Sequence, residues 1–253
     1  MKRILILLII PFFSFAQLTK TGFRHTNPNL YVDFSGRIGG GKGLERFGKQ
    51  TLTFVCGNTL TIAHTTLNGV APLNKTVTYG TVKSSLSGSE KCWITQNLGS
   101  TNQATSETDA SEAAAGWYWK FNKKKGFKND GNTSTPTFTT TFTNEISNWL
   151  AANDPCTIEL GTGWRIPTVT EWTNVNSTNL RAQAYAGPLK MHAAGFLTTS
   201  SGLLYRGSQF FYWSSSNSDA SLAKGLVIYT TQTYNQISNN DKDAGLSVRC
   251  IRD

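Results

Sequence analysis

The stretch of sequence that decides the fold is GWRIPTVTEW, which occupies residues 163–172. After Pro167, the Thr168 hydroxyl is placed to accept a hydrogen bond from the backbone N–H of Glu171, and the Glu171 carboxylate can accept one from the N–H of Thr168. This reciprocal pattern is a capping box, and it predicts that a helix begins here. Three apolar residues at helical spacing define the buried side of that helix: Val169, Trp172 and Val175.

Segments on both sides of this helix carry the pattern of short β-strands. Hydroxyl and apolar side chains alternate before it, whereas β-branched or aromatic runs separated by Ser, Asn, Asp and Gly follow it. The predicted strands are residues 51–55, 59–62, 76–79, 203–205, 210–213, 225–229 and 246–251. A Thr-rich run at residues 135–143 contains Pro136, which favours a sheet edge or a loop arm.

A second helix is predicted upstream of the first, at residues 144–150. Ile146, Trp149 and Leu150 form one apolar stripe at positions i, i+3 and i+4, which ends before the Asn-Asp-Pro at residues 153–155. The order along the chain is therefore strands, two helices and strands. This order predicts an α+β fold with short antiparallel strands, two short helices and long irregular loops, rather than alternating βαβ units.

The first sixteen residues have the layout of a secretory signal peptide. Lys2 and Arg3 precede an apolar run at residues 4–13, and small residues follow near the cleavage position. The run of about ten residues is shorter than the roughly 20 that cross a bilayer, so no transmembrane anchor is expected. We predict a signal peptide at residues 1–16, an extension or linker at 17–50 and one domain at 51–253. The protein is then secreted or held at the cell surface, with the periplasm as an alternative.

Four cysteines are the only thiols: Cys56, Cys92, Cys156 and Cys250. An even number in a chain directed to an oxidising compartment favours two disulfides, for which three pairings exist. We prefer Cys56 with Cys92 and Cys156 with Cys250. The second pair would close a loop of about 94 residues, for which chain entropy gives roughly 4–5 kcal/mol of stabilisation.

The charge pattern excludes nucleic acid as an expected partner. Charged residues make up only 15% of the chain, and much of the net charge of +9 lies in lysines between residues 120 and 128. A nucleic-acid interface would need basic residues spread over a face with interleaved aromatic side chains. A solvated loop is the simplest interpretation of the lysines, and contact with an acidic glycan or the anionic cell surface is the alternative.

Four motifs follow one another: KCWITQNLG at residues 91–99, GWRIPTVTEW at 163–172, YWSSS at 212–216 and GLSVRCIRD at 245–253. From about residue 76 onward, the chain resembles the Fibrobacter succinogenes major paralogous domain. The RIPT and EW elements are also similar to those of the formylglycine-generating enzyme superfamily, which has a variant of the C-type-lectin-like fold. The resemblance implies a compact C-type-lectin-like module with paired terminal strands and variable loops, and it implies no ligand. The sequence departs from the family pattern between Cys156 and Gly163, where the stretch is longer than the usual Cys-Pro-x-Gly-Trp.

Catalytic chemistry is not expected from the motifs. The sequence has no His-x-x-x-His-x-Glu cluster, no Gly-x-Ser-x-Gly and no Glu-Pro-Asn or Gln-Pro-Asp loop. Its cysteines lie in motifs that frame the fold, and its three histidines are widely scattered: His25, His64 and His192. We therefore predict a protein that is not an enzyme and that requires no metal and no cofactor.

Amides and phenols between Trp213 and Arg249 are the best candidates for a ligand-binding surface, because such side chains make adaptable contacts. These candidates are Asn217, Tyr229, Gln232, Tyr234, Asn235 and Gln236. Strand-edge and turn residues without a ligand are the alternative interpretation. The predicted function is a ligand-binding or adhesion module of the bacterial cell surface, with an unknown glycan or a surface or envelope protein as partner. A structural or assembly subunit of an envelope or extracellular complex is the alternative function.

Overall fold

The computed structural model describes residues 54–128, 144–177, 183–199, 202–231 and 235–253, preceded by two short strands. The chain divides into two compact units, Met1–Thr53 and Phe54–Asp253. In the first unit, β1 (Phe23–Arg24) pairs antiparallel with β2 (Tyr31–Val32). The signal peptide expected at residues 1–16 and the Thr-rich run at 135–143 lie outside the described residues.

The second unit begins with two small antiparallel sheets. In the first sheet, β3 (Leu60–His64) pairs with β4 (Lys75–Tyr79), which confirms the strands predicted at residues 59–62 and 76–79. Of the strand predicted at residues 51–55, residues 54 and 55 are not in a strand, and the others lie outside the described residues. The second sheet has the strand order β5 (Thr81–Ser84), β6 (Lys91–Ile94), β16 (Ile251–Arg252) and β9 (Trp164–Arg165). The C-terminal strand therefore lies between two strands that carry the sequence motifs.

The largest sheet in the described part of the chain has six strands in the order β14–β13–β12–β15–β7–β8. These are β7 (Tyr118–Trp119), β8 (Gly126–Phe127), β12 (Gln209–Asn217), β13 (Leu222–Tyr229), β14 (Asn235–Asp241) and β15 (Leu246–Ser247). Neighbours are antiparallel except for β12 and β15, which are parallel. Separately, β10 (Phe196–Thr198) pairs antiparallel with β11 (Gly202–Leu204). The strand predicted at residues 246–251 is split into β15 and β16.

Three short α-helices occur in the described residues: α1 (Glu112–Ala115), α2 (Pro155–Leu160) and α3 (Val169–Asn176). The capping box predicted for α3 is confirmed. The N–H of Glu171 donates to the Thr168 hydroxyl at 3.2 Å, and the N–H of Thr168 donates to the Glu171 carboxylate at 2.8 Å. Within the described residues, no helix is long and apolar enough to cross a membrane.

The helix predicted at residues 144–150 is wrong. The backbone N–H of Trp149 donates to the carbonyl of Ser215 at 2.8 Å, so it is not free to close a helical turn. Ile146, a member of the predicted apolar stripe, is 80% exposed. A single 3-10 turn follows at Ala151–Asn153. The nearest α-helix is α2, which starts after Asp154 because this carboxylate accepts hydrogen bonds from the first backbone N–H groups.

Both faces of β12 are buried, because alternate residues of this strand belong to different parts of the core. Phe210 and Tyr212 pack in the cluster that contains Trp172 of α3, and Phe211 and Trp213 pack in the other large cluster. All seven tryptophans are buried, which accounts for the large core of a chain with a polar surface, and five of them are no more than 2% exposed: Trp93, Trp117, Trp119, Trp172 and Trp213.

Two disulfides tie the strands and helices together. Cys56 is bonded to Cys92 and Cys156 to Cys250, with Cα–Cα separations of 5.8 and 5.6 Å. These are the two pairs that the sequence favoured. The first joins the beginning of the second unit to β6, and the second joins α2 to the residue that precedes β16. Both bonds therefore converge on the four-stranded sheet.

Candidate functional site

The structure separates the residues that the sequence grouped as a candidate binding surface. Asn217 ends β12 and lies opposite Ala223 near the start of β13, whereas Tyr229 ends β13. The six-residue step along β13 corresponds to about 20 Å. Gln236 lies beside Tyr229, and its Nε2 donates to the phenol oxygen at 3.4 Å. The antiparallel pairing of β12 with β13 therefore places Asn217 far from Tyr229 and Gln236.

Asn217 has a structural task. Its backbone N–H donates to Oδ1 of Asn148 at 2.9 Å, and its side-chain Nδ2 donates to the carbonyl of Ile146 at 3.2 Å. These bonds hold an irregular segment against the end of β12. For the remaining three candidates, Asn235 is described by its strand position alone, and Gln232 and Tyr234 lie outside the described residues.

A groove of about 340 Å³ lies on the four-stranded sheet beside the Cys56–Cys92 disulfide. It is lined by residues 54–56, by the charged end of the β5–β6 hairpin and by the last two residues of the chain. Phe54 is half-buried in its wall, and Val55 is 58% exposed. The groove therefore offers an apolar surface next to charged side chains.

Most of the charges in this groove are paired. Lys83 Nζ lies 3.0 Å from Oε1 of Glu90, and Lys91 Nζ lies 2.9 Å from Oδ1 of Asp253. Asp253 also accepts hydrogen bonds from Arg165 at 2.8 and 2.9 Å. The hydrogen bond from Arg165 is the main reason why the pKa of Asp253 lies well below its usual range. Both carboxylates in the groove are thus already engaged by cations.

Arg252 differs from the other groove cations, because no ion pair joins it to a carboxylate in the part of the chain that the structure describes. Its guanidinium carbon lies 4.9 Å from the centre of the Phe54 ring. Its Nε is buried and has no hydrogen-bond partner among the described residues. The groove therefore contains a guanidinium whose charge no described carboxylate neutralises.

The position of Arg252 follows from strand alternation in β16. Ile251 is fully buried opposite Trp93, so the next residue points to the other face of the strand. Gly163 permits its close approach: φ is +92°, and a Cβ there would lie 3.2 Å from the Arg252 Nε. A glycine is therefore suited to this position both by its backbone angle and by its lack of a side chain.

A guanidinium beside an apolar wall can bind a carboxylate that is attached to an apolar group. The planar fork of donors matches two carboxylate oxygens, and such charge-assisted pairs are stronger than neutral hydrogen bonds. Sequence reasoning missed this site because it treated the C-terminal motif as part of the frame. The alternation around Ile251 could have indicated that Arg252 faces away from the core.

A second concavity, of about 260 Å³, lies beside β4 and α1. Lys75 lies in its wall, with Nζ 4.7 Å from the centre of the Trp117 ring. The ammonium donates hydrogen bonds to the carbonyl of Gly99 and, at 3.3 Å, to the hydroxyl of Thr101. Burial lowers the pKa of Lys75 to about 8, and the negative charge of Glu112 partly opposes this shift.

A series of buried hydrogen bonds fixes the backbone that lies next to the Lys75 cavity. The N–H of Gly99 donates to the Tyr79 phenol at 2.8 Å, and the phenol oxygen is hydrogen-bonded to His64 Nε2 at 2.7 Å. The other ring nitrogen of His64 is hydrogen-bonded to the carboxylate of Glu159. Burial raises the pKa of Tyr79, so the phenol keeps its proton. The Gly99 peptide is therefore fixed between Tyr79 and Lys75.

In the described residues, no group of three or more His, Cys, Asp or Glu side chains could hold a metal ion. No protein-family model matches the chain, no curated protein matches it, and no solved structure matches it. The two concavities and their chemistry are therefore the basis for functional inference.

Proposed function

We propose that the chain is an exported, non-catalytic binding module whose groove accepts a carboxylate attached to an apolar group. The observation that carries this proposal is the guanidinium of Arg252, which lies over Phe54 with no carboxylate partner in the described residues. An acidic group on a surface protein or peptide, next to an apolar side chain, has the matching chemistry. Adhesion to such a partner is the biological role that we propose.

We also propose that the module has a C-type-lectin-like fold and belongs with the Fibrobacter succinogenes major paralogous domains. Three features support this: the four motifs in order, the C-terminal strand between β6 and β9, and the closure of residues 156–250 by a disulfide. Export is supported by the apolar run at residues 4–13 and by the presence of two disulfides.

The expected affinity is modest, because the groove is open and the ligand contact is small. Hydrogen bonds to a charged group contribute about 1.5–3 kcal/mol, and the Phe54 wall adds some apolar burial. A fragment-sized ligand then binds with a Kd of about 1 mM, which corresponds to about 4 kcal/mol. The affinity should fall as ionic strength rises, because the groove is exposed to solvent.

Titration of the full chain with N-acetylphenylalanine and with its neutral amide tests the proposal. Both probes carry the same ring, and only the acid carries the negative charge that can pair with the Arg252 guanidinium. We expect the acid to bind at least tenfold more tightly, measured by calorimetry or by NMR shifts of the groove residues. Glucuronate, which has a carboxylate without an apolar group, is expected to bind more weakly than N-acetylphenylalanine.

Arg252→Gln is expected to abolish the preference for the acid. The control Lys224→Gln removes one positive charge from β13, outside the groove, and should leave the affinity unchanged within about twofold. Arg252→Lys keeps the charge without the bidentate fork and should give an intermediate affinity. Equal binding of acid and amide, or an unchanged affinity in a folded Arg252→Gln protein, contradicts the proposed site.

A further inference from the structure

The second concavity contains the parts of a reactive amine site, and it is separate from the proposed carboxylate groove. Lys75 lines it together with Thr101, Glu112 and Trp117. Trp117 is only 2% exposed, so the ammonium lies against a dry aromatic surface. Glu112 is exposed at the start of α1 and lines the same cavity. An amine, a carboxylate and a hydroxyl thus share one small space.

The amine is held in a defined position. Its hydrogen bonds go to the Gly99 carbonyl and the Thr101 hydroxyl, and the Gly99 peptide is itself fixed by the Tyr79 phenol. Gly99 has φ +77°, and a Cβ at this position would lie 2.2 Å from Cδ2 of Trp117. The close contact between this peptide and the ring is what sets the lysine against the indole.

We propose that Lys75 is a covalent capture site for small aldehydes. The lone pair of its neutral Nζ attacks the carbonyl carbon, a C–N bond forms, and the carbonyl electrons move to oxygen, which takes up a proton. The nitrogen then loses its protons as the hydroxyl leaves as water and a C=N bond forms. Amine and aldehyde thereby give imine and water, with no oxidant or reductant. Glu112 lines the same cavity without an ion pair to Lys75, and its carboxylate can relay a proton from nitrogen to the departing hydroxyl through a water molecule.

Desolvation distinguishes Lys75 from an ordinary surface lysine. With a pKa of about 8, roughly a tenth of its amine is neutral at pH 7. An unperturbed lysine with a pKa of about 10.4 is neutral in fewer than about 0.1% of molecules at that pH. Only the neutral amine attacks a carbonyl, which is why buried lysines serve as Schiff-base residues. The volume of about 260 Å³ restricts the cavity to small aldehydes.

Reductive trapping tests this proposal directly. The full chain is treated with glycolaldehyde and cyanoborohydride at pH 7, digested, and analysed by mass spectrometry for the rate of modification at each lysine. Lys83 is the internal control, since its side chain is 61% exposed on β5, the next strand along the chain. We expect Lys75 to be modified at least about tenfold faster than Lys83. Equal or slower modification of Lys75 overturns the proposal.

Glu112→Gln tests whether the Glu112 carboxylate takes part in the reaction of Lys75, apart from how accessible the amine is. This substitution keeps the size of an exposed side chain at the start of α1 and should not disturb the fold, while it removes the proton-transfer group. Loss of the Glu112 charge by itself favours the neutral amine of Lys75, so a slower reaction can come only from the lost proton transfer. We expect modification of Lys75 to slow about threefold or more, with Lys83 unchanged, and a rate at Lys75 that stays the same or rises removes Glu112 from the mechanism. Binding of N-acetylphenylalanine at Arg252 is measured separately, so either proposal can fail without the other.

Discussion

Arg252 and Lys75 each hold a cation over an aromatic ring, at 4.9 Å from Phe54 and 4.7 Å from Trp117. The ring contact is nearly the same, and the surroundings of the nitrogen atoms differ. Lys75 donates to a carbonyl and a hydroxyl, whereas the Arg252 Nε has no partner among the described residues. A guanidinium stays charged under these conditions, while burial makes the lysine charge adjustable. Similar geometry therefore gives a binding group in one place and a reactive group in the other.

A disulfide borders the carboxylate groove, and its removal is expected to lower the free energy of unfolding more than any other change considered below. Replacing Cys56 and Cys92 together by alanine removes a cross-link between residues 36 positions apart. Chain entropy predicts a loss of about 4 kcal/mol in the free energy of unfolding. Urea denaturation under non-reducing conditions measures the loss, and the groove should lose its affinity for N-acetylphenylalanine. A loss below about 1 kcal/mol would show that the groove does not depend on this bond.

Beside the Lys75 cavity, Gly99→Ala tests the close approach of the Gly99 backbone to the indole of Trp117. The new Cβ would lie 2.2 Å from Trp117, at a backbone φ of +77°. Overpacking and the unfavourable φ together predict a loss of about 2–4 kcal/mol in the free energy of unfolding. The control is Gly161→Ala, where φ is +93° and no atom lies within 4 Å of the added Cβ. This control should lose only about 1 kcal/mol, and equal losses would remove the role of Trp117.

The dependence of stability on pH sharpens the comparison between the two cations. The pKa of Lys75 falls to about 8 in the folded protein because burial disfavours its charged form. Between pH 8 and about 10.4, the unfolded chain therefore binds more protons, so this residue makes the folded state more stable as pH rises. That contribution is lost as pH falls towards 8. Lys75→Met should show a smaller rise in unfolding free energy across this window than the parent chain, whereas Arg252→Gln should show the same rise as the parent.

The smallest expected effect is that of Arg252→Gln on stability. Its guanidinium has no carboxylate partner in the described residues, so its removal should cost only the contact with the Phe54 ring, about 0.5–1 kcal/mol in the free energy of unfolding. Arg165→Gln is the contrasting variant, since Arg165 donates to both oxygens of Glu171 at 2.7 Å. Thermal denaturation of the two variants should rank Arg165→Gln as the less stable protein. The reverse order would mean that Arg252 supports the fold.

Elements whose hydrogen bonds are local could be predicted from the sequence. The capping box of α3 joins Thr168 to Glu171, three residues apart, and its signal is complete within one short segment. The failed helix at residues 144–150 shows the opposite case, because the partner of the Trp149 N–H is the remote Ser215. An apolar stripe therefore predicted a helix where tertiary contacts hold an irregular segment.

The groove could not be predicted because its parts come from distant positions in the chain. Phe54 and Arg252 stand near the two ends of the second unit, and no pattern of spacing relates them. The binding surface that the sequence predicted failed for the opposite reason, because its residues are close in sequence and distant in the structure. Asn217 and Tyr229 are close in sequence, and the antiparallel pairing of β12 with β13 sends them to opposite ends of the sheet.

The contact between the Lys75 ammonium and the indole of Trp117 also supplies an optical reporter. Conversion of the ammonium to a neutral imine removes a positive charge 4.7 Å from the ring centre, which changes the electric field on the indole. The emission of Trp117 should therefore shift when the lysine is occupied, against a constant background from the six other tryptophans. A Trp117→Phe protein would lose the shift, so occupancy could be followed in real time without a label.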